Sequence, residues 1–187
     1  MMKKYLYIVF ALCTVALLSS CGKDDKEDTI DEVWKAENEQ AFNAKTFDPN
    51  FTRRTAPNNG GILFYKQTKP GNGKPVFFNS RAEVYYEGSL ITGVVFDKND
   101  PQFDTPLRVA LSSAVDNYNS ATNPTGYTSG VIEGWKAILQ YMTEGEEGEV
   151  WIPQELGYGA IDRGVIPPYS TLIFKLQVTK VIGIDEQ

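Results

Sequence analysis

Residues 171–182 read T-L-I-F-K-L-Q-V-T-K-V-I. Leu172, Phe174, Leu176 and Val178 fall at every second position, with Lys175, Gln177 and Thr179 between them. Successive side chains of a strand point to opposite faces, so this spacing predicts one long strand with an oily and a wet side. One-sided alternation of that kind belongs to an antiparallel sheet with a solvated face. Shorter stretches upstream read the same way: 62–68, A-E-V-Y-Y-E-G at 82–88, G-V-V-F-D at 93–97, L-R-V-A-L at 107–111, and 150–152. Ile132, Trp135, Ile138, Leu139 and Met142 instead recur at three and four residues, the stripe of a helix facing the sheet. Glycine at position 134 costs such a helix about 1 kcal/mol relative to alanine, so its place beside Trp135 points to a close approach. The expected fold class is α+β, a curved antiparallel β-sheet wrapped around one short α-helix.

Ahead of the strands, residues 30–45 are rich in helix formers, with Ile30, Val33, Trp34, Ala41 and Phe42 apolar. Thr29, with Glu32 three residues on, has capping-box spacing. Asp48-Pro49-Asn50 and A-P-N-N-G-G at 56–61 punctuate the chain. Residues 30–57 are therefore expected to form an N-terminal helical extension, and 58–187 the main domain.

Further upstream, Lys3 and Lys4 precede an apolar run from Tyr5 to Leu18, too short for a bilayer span and right for a secretory signal. The run ends in Leu18-Ser19-Ser20-Cys21, which looks like a lipobox, where a small residue precedes a cysteine that becomes acylated. Residues 1–20 are thus expected to be a lipoprotein signal peptide, Cys21 the lipidation site, and 21–29 a charged, flexible tether. Acyl chains hold to a bilayer by about 0.8 kcal/mol per buried methylene. Acidic residues close to Cys21 resemble an export cue, so the protein is expected in the envelope of a diderm bacterium, anchored to the outer membrane at its periplasmic or surface face.

Composition narrows the chemistry. The chain has 187 residues, 42% of them hydrophobic, with ten Tyr, ten Phe and three Trp, enough for an aromatic-lined pocket within a packed core. A formal charge of −6 without a basic stripe argues against nucleic acid as a partner. Histidine is absent and the two cysteines, Cys13 and Cys21, lie in the N-terminal segment. Ser-His and Cys-His nucleophiles and His- or Cys-ligated metals are excluded from the folded part, and no metal or cofactor is expected. The acidic run 144–149 reads as a solvated hairpin loop. Its glutamates share one loop and do not flank a cleft, so a paired-carboxylate glycosidase has no support.

Four stretches carry a resemblance. V-Y-Y-E-G-S-L at 84–90 followed by G-V-V-F-D at 93–97, V-I-E-G-W at 131–135, P-Q-E-L-G-Y-G at 153–159, and I-P-P-Y-S-T-L-I-F at 166–174 resemble, in order and spacing, the FKBP-type peptidyl-prolyl cis–trans isomerases. The resemblance covers roughly residues 60–182. It implies a shallow apolar pocket for a prolyl side chain, floored by Trp135. Its walls would be Tyr86, Phe96, Val131, Ile132, Ile166 and Phe174, with Leu107 where the family usually places an aromatic ring. Asp97 matches an acidic residue that accepts a hydrogen bond inside the site, and Tyr158 one whose hydroxyl reaches the substrate carbonyl. Tyr86 joins them among the expected catalytic residues, and the backbone N–H of Ile132 matches a donor used by ligands. Implied partners are proline-containing polypeptide clients and macrolide inhibitors, the latter weakened by the thinner wall at Leu107. Residues 112–130, rich in Ser, Asn, Thr and Gly, form an insertion before the helix, placed to cover the pocket or contact a client. A further family position on the closing loop falls near Arg163. Two functions fit the set: an active isomerase assisting the folding of envelope or secreted proteins, and a non-catalytic chaperone or binding module.

Overall fold

The computed structural model describes residues 25–116, 126–183 and 186. The expected signal peptide (1–20), Cys21 and the middle of the insertion (117–125) lie outside the described residues. Asp31–Gln187 form one compact unit; of the other, Met1–Ile30, only residues 25–30 are described.

Among the described residues, seven strands make one sheet: β1 Thr52–Thr55, β2 Ile62–Lys69, β3 Arg81–Leu90, β4 Val95–Asn99, β5 Leu107–Ala110, β6 Glu147–Ile152 and β7 Leu172–Ile182. Their order is β1-β2-β6-β7-β3-β4, with β5 also on β3, and the pairings between these strands are antiparallel. β7 pairs with β3 from Leu172↔Leu90 to Ile182↔Arg81. Leu172, Phe174, Leu176 and Val178 are buried as their alternation requires. A register shift opposite Glu83 and Val84 then changes the parity, so Val181 is buried where strict alternation would expose it.

Helix α1 spans Asp25–Ala44 and α2 spans Glu133–Leu139. Trp135, Ala137, Ile138 and Leu139 of α2 join the inward residues of the strands in the main core. Gly134 allows this, because a Cβ there would strike the stiff side chain of Ile152, with Cδ1 2.8 Å away. No helix among the described residues is long and apolar enough to cross a membrane.

The ten-residue strand β3 divides its outer edge between two partners. Tyr86–Ser89 pair with β4, and Arg81–Val84 with β5. Asn99 closes the gap where they part. Its Oδ1 accepts the Tyr86 N–H (2.7 Å) while its Nδ2 donates to the carbonyls of Val84 (3.4 Å) and Thr105 (3.2 Å). Backbone groups freed at the fork are thereby satisfied.

Both ends of the 112–130 insertion are tied to this region. Thr128 accepts from the Ala110 N–H (2.8 Å) and donates to the Arg108 carbonyl (3.0 Å). Asp116 Oδ2 takes both the N–H (2.7 Å) and hydroxyl (2.6 Å) of Ser129. Ala110, Val115 and Tyr127 bury one another in a small second core against Ile182.

Three readings of the sequence are corrected. Helix α1 begins at Asp25, so Thr29 falls within its span and not ahead of it, and residues 25–29 of the expected tether are helical. The segment before residue 58 is not wholly helical, since β1 lies in it and pairs with β2. The run 144–149 is not a solvated loop: β6 starts at Glu147, and Glu146 is buried. Glu146 accepts from the Tyr65 hydroxyl (2.8 Å) and from the N–H and hydroxyl of Thr143 (3.1 Å each), which makes a buried carboxylate tolerable.

Candidate active site

Trp135 is the third residue of α2, and only 3% of it is exposed. Its indole packs edge-on against two rings, Tyr86 (centroids 5.1 Å apart, 82°) and Phe174 (5.3 Å, 89°). Phe96 meets Phe174 the same way at 5.5 Å. Edge-to-face pairs hold rings at fixed angles, so four aromatic groups from two strands of the sheet's main run, an edge strand and a helix make a stiff wall. Gly88 makes room for it, since a Cβ would stand 2.6 Å from ring atoms of both Phe96 and Phe174.

Over the indole lies a cavity of about 130 Å³. Tyr86, Phe96, Trp135 and Phe174 form its aromatic side; Leu107, Gly130, Val131 and Ile132 form the aliphatic side, and Asp97 and Tyr158 complete it. The structure thus brings together nine of the ten residues expected from the sequence. Ile166 is the exception: its carbonyl accepts the Arg163 N–H (3.0 Å) in a turn, and its side chain is buried in the main core. A larger groove of about 480 Å³ shares Tyr86 and Leu107 with the cavity and runs past Thr105 and Pro106 to Gly126 and Thr128.

The polar groups are few. Tyr86 donates its hydroxyl to Asp97 Oδ2 at 2.7 Å. Burial of the phenol, then that hydrogen bond and the Asp97 charge, push the Tyr86 pKa well above the ordinary tyrosine range. Tyr86 is therefore a neutral hydroxyl at any physiological pH. Ile132 caps α2 from an extended conformation (φ −60, ψ 154), and no acceptor for its N–H is found among the described residues. The Arg163 guanidinium lies 5.2 Å from the Tyr158 ring centroid, in cation–π range. An oily hollow with the Tyr86 hydroxyl bonded to Asp97 at its rim and an open Ile132 N–H can hold an apolar ring and grip one carbonyl; no Ser, Thr, Cys, His or Lys lines it.

A family model described as FKBP-type peptidyl-prolyl cis-trans isomerase matches residues 73–179, which include every residue lining the cavity. The chain belongs to this family. Among curated FKBP relatives, the FKBP-type 22 kDa peptidyl-prolyl cis-trans isomerase of Escherichia coli is 34% identical over 64% of this chain and 50% of its own length. The FK506-binding protein of Neisseria meningitidis serogroup A is 34% identical over 65% of the chain and 97% of its own length. The present FKBP chain thus spans about half of the first relative and nearly all of the second. Of solved structures, FkpA from Escherichia coli is similar with a TM-score of 0.62 and 25% identity, over 82% of this chain and 62% of that one. A peptidyl-prolyl cis-trans isomerase from Pseudomonas syringae shares the fold with a TM-score of 0.63 at 24% identity, over 81% and 96% of the two chains.

Sequence reasoning missed some contributors to this FKBP site. Gly130, the last residue of the insertion, lines the cavity. Gly88 is needed for ring packing, and its signal was available as a glycine inside a strand. Asn99 carried no signal, because its partners gather only when β4 and β5 both meet β3.

Proposed function

We propose that this chain is a peptidyl-prolyl cis–trans isomerase acting on proline-containing polypeptides without covalent chemistry. The aromatic cavity over Trp135, with Tyr86 bonded to Asp97 at its edge, carries the reading. Rotation about an X-Pro bond must break amide resonance, a barrier of about 18–20 kcal/mol, and takes tens to hundreds of seconds unaided. Reaching milliseconds needs about five decades, or roughly 7 kcal/mol of preference for the twisted amide. The twisted amide has less charge separation than the planar one, so a dry aromatic wall favours it. The open Ile132 N–H binds a substrate carbonyl, and the Tyr158 hydroxyl reaches the carbonyl that rotates. Asp97 holds the Tyr86 hydroxyl in one orientation, while Phe96, Val131, Leu107 and Phe174 grip the prolyl ring. The adjoining groove gives room to the residues flanking proline. Ile161 and Val165, exposed on the loop after Tyr158, offer clients an apolar rim.

In this reading the protein is a lipoprotein of the envelope, acylated at Cys21 and helping envelope or secreted proteins to fold. Support comes from Lys3 and Lys4, the apolar run 5–18 and the L-S-S-C junction. Labelling cells with a clickable fatty acid should mark the protein, and Cys21→Ala should abolish both label and membrane recovery.

A proline-isomerisation assay on a Leu-Pro peptide, with and without a macrolide inhibitor, tests the activity. Acceleration over background is expected. Folded protein without acceleration ends the enzyme reading and leaves the client-holding one, which requires suppression of aggregation to survive in Tyr158→Phe and Asp97→Asn.

A further inference from the structure

Trp34 and Asn38 lie on α1, outside the stretch that the family model matches. Four residues apart, they share one helix face, and both bond to the segment that follows the Tyr158 loop. Asn38 is fully buried. Its Oδ1 accepts the Thr171 N–H at 2.8 Å, its carbonyl accepts the Thr171 hydroxyl at 3.2 Å, and its Nδ2 donates to the Trp34 carbonyl at 2.8 Å. Trp34 donates its indole N–H to Ser170 Oγ at 3.1 Å, and the Ser170 hydroxyl passes a bond to the Pro167 carbonyl at 2.7 Å.

Tyr169 sits between these anchors at φ 63, the one non-glycine residue with positive φ among the described residues. A bulky side chain takes that conformation only when its surroundings impose it. Here the imposed conformation turns the Tyr169 N–H onto the Gly159 carbonyl at 2.7 Å, one residue from Tyr158. The Lys35 ammonium stands 5.1 Å from the Tyr169 ring centroid and adds a third hold from the helix.

We propose that α1 is a clamp on the 157–171 loop, and that Asn38 and Trp34 are positioning residues that set Tyr158 at the cavity. Only its activity arm rests on the isomerase reading. A helix that merely covers the core would stabilise sheet and loop alike. A clamp holds the loop more than the sheet.

The test is amide hydrogen exchange by mass spectrometry, beside isomerase kinetics, on the detergent-solubilised full chain. In Asn38→Ala, exchange of segments within 157–171 should quicken about tenfold, since Thr171 loses its buried acceptor, while β3 and the centre of β7 keep their rates. Misplacing Tyr158 should lower kcat/KM on an X-Pro peptide about tenfold. Trp34→Phe keeps a ring and loses the N–H, and should shift both readouts the same way by a smaller factor. If Asn38→Ala does not fold, Trp34→Phe and Ser170→Ala decide on the same readouts. Loop exchange unchanged in the folded variants, or quickened in step with the sheet, overturns the clamp. An inactive wild type overturns the isomerase reading instead, and the exchange result still decides the clamp.

Discussion

The Tyr86 hydroxyl faces the cavity and is spoken for by Asp97 at 2.7 Å. Removing it in Tyr86→Phe should lower kcat/KM about tenfold, equivalent to about 1.4 kcal/mol of transition-state stabilisation. Stability should change by less than about 1 kcal/mol, because Asp97 is exposed and water replaces the lost donor. Isomerase kinetics beside a denaturant titration check both, and wild-type activity in this variant would strip the pair of its role. Glu146 makes the opposite case. Glu146→Ala leaves the buried Tyr65 hydroxyl and the half-buried Thr143 N–H without their acceptor, and should cost about 3 kcal/mol of folding stability by the same titration, with kcat little changed. Asp97 could be found from the sequence because it follows Phe96 within a familiar stretch. Glu146 could not, because what makes it a buried acceptor is Tyr65, 81 residues away, and local spacing read its neighbourhood as a wet turn.

Short helix α2 meets the sheet closely only because position 134 lacks a side chain. Gly134→Ala should gain about 1 kcal/mol of helix propensity and lose more than that, about 1–3 kcal/mol, to overpacking against Ile152. Net destabilisation is expected, and trimming the partner in Gly134→Ala with Ile152→Val should recover part of it. A melt showing Gly134→Ala more stable than wild type would refute the close approach. Strands with a one-sided hydrophobic pattern, β3 and β7 above all, were legible from spacing. Strand β1 was not: T-R-R-T has no apolar alternation, and it is a strand because Arg53 and Arg54 lie opposite Phe64 and Leu63 of β2. The start of α1 was hidden likewise, since acidic residues suit both a tether and the first turn of a helix.

Across the described residues, three tyrosines hold their protons beyond the ordinary range. Tyr65 and Tyr86 are pushed well up and Tyr127 to about 12, in each case by burial first and then by a hydrogen bond to a carboxylate. Because the folded pKa is the higher one, the stability this protonation brings is fully present below the unfolded value near 10 and is lost as pH rises through the folded values. Denaturant midpoints should therefore fall between pH 9 and pH 11, and Tyr65→Phe should flatten part of that slope; an unaltered slope in this variant would contradict the assignment. One further consequence follows from the sheet's ends. Strand β1 terminates the order with a short edge that carries Arg53 and Arg54. A protein that handles unfolded chains is surrounded by backbone seeking a partner, and an open, flat, oily border would recruit them as extra strands. Four residues with two guanidinium groups make a poor template, so under the proposed function this border would let clients go and not seed their aggregates.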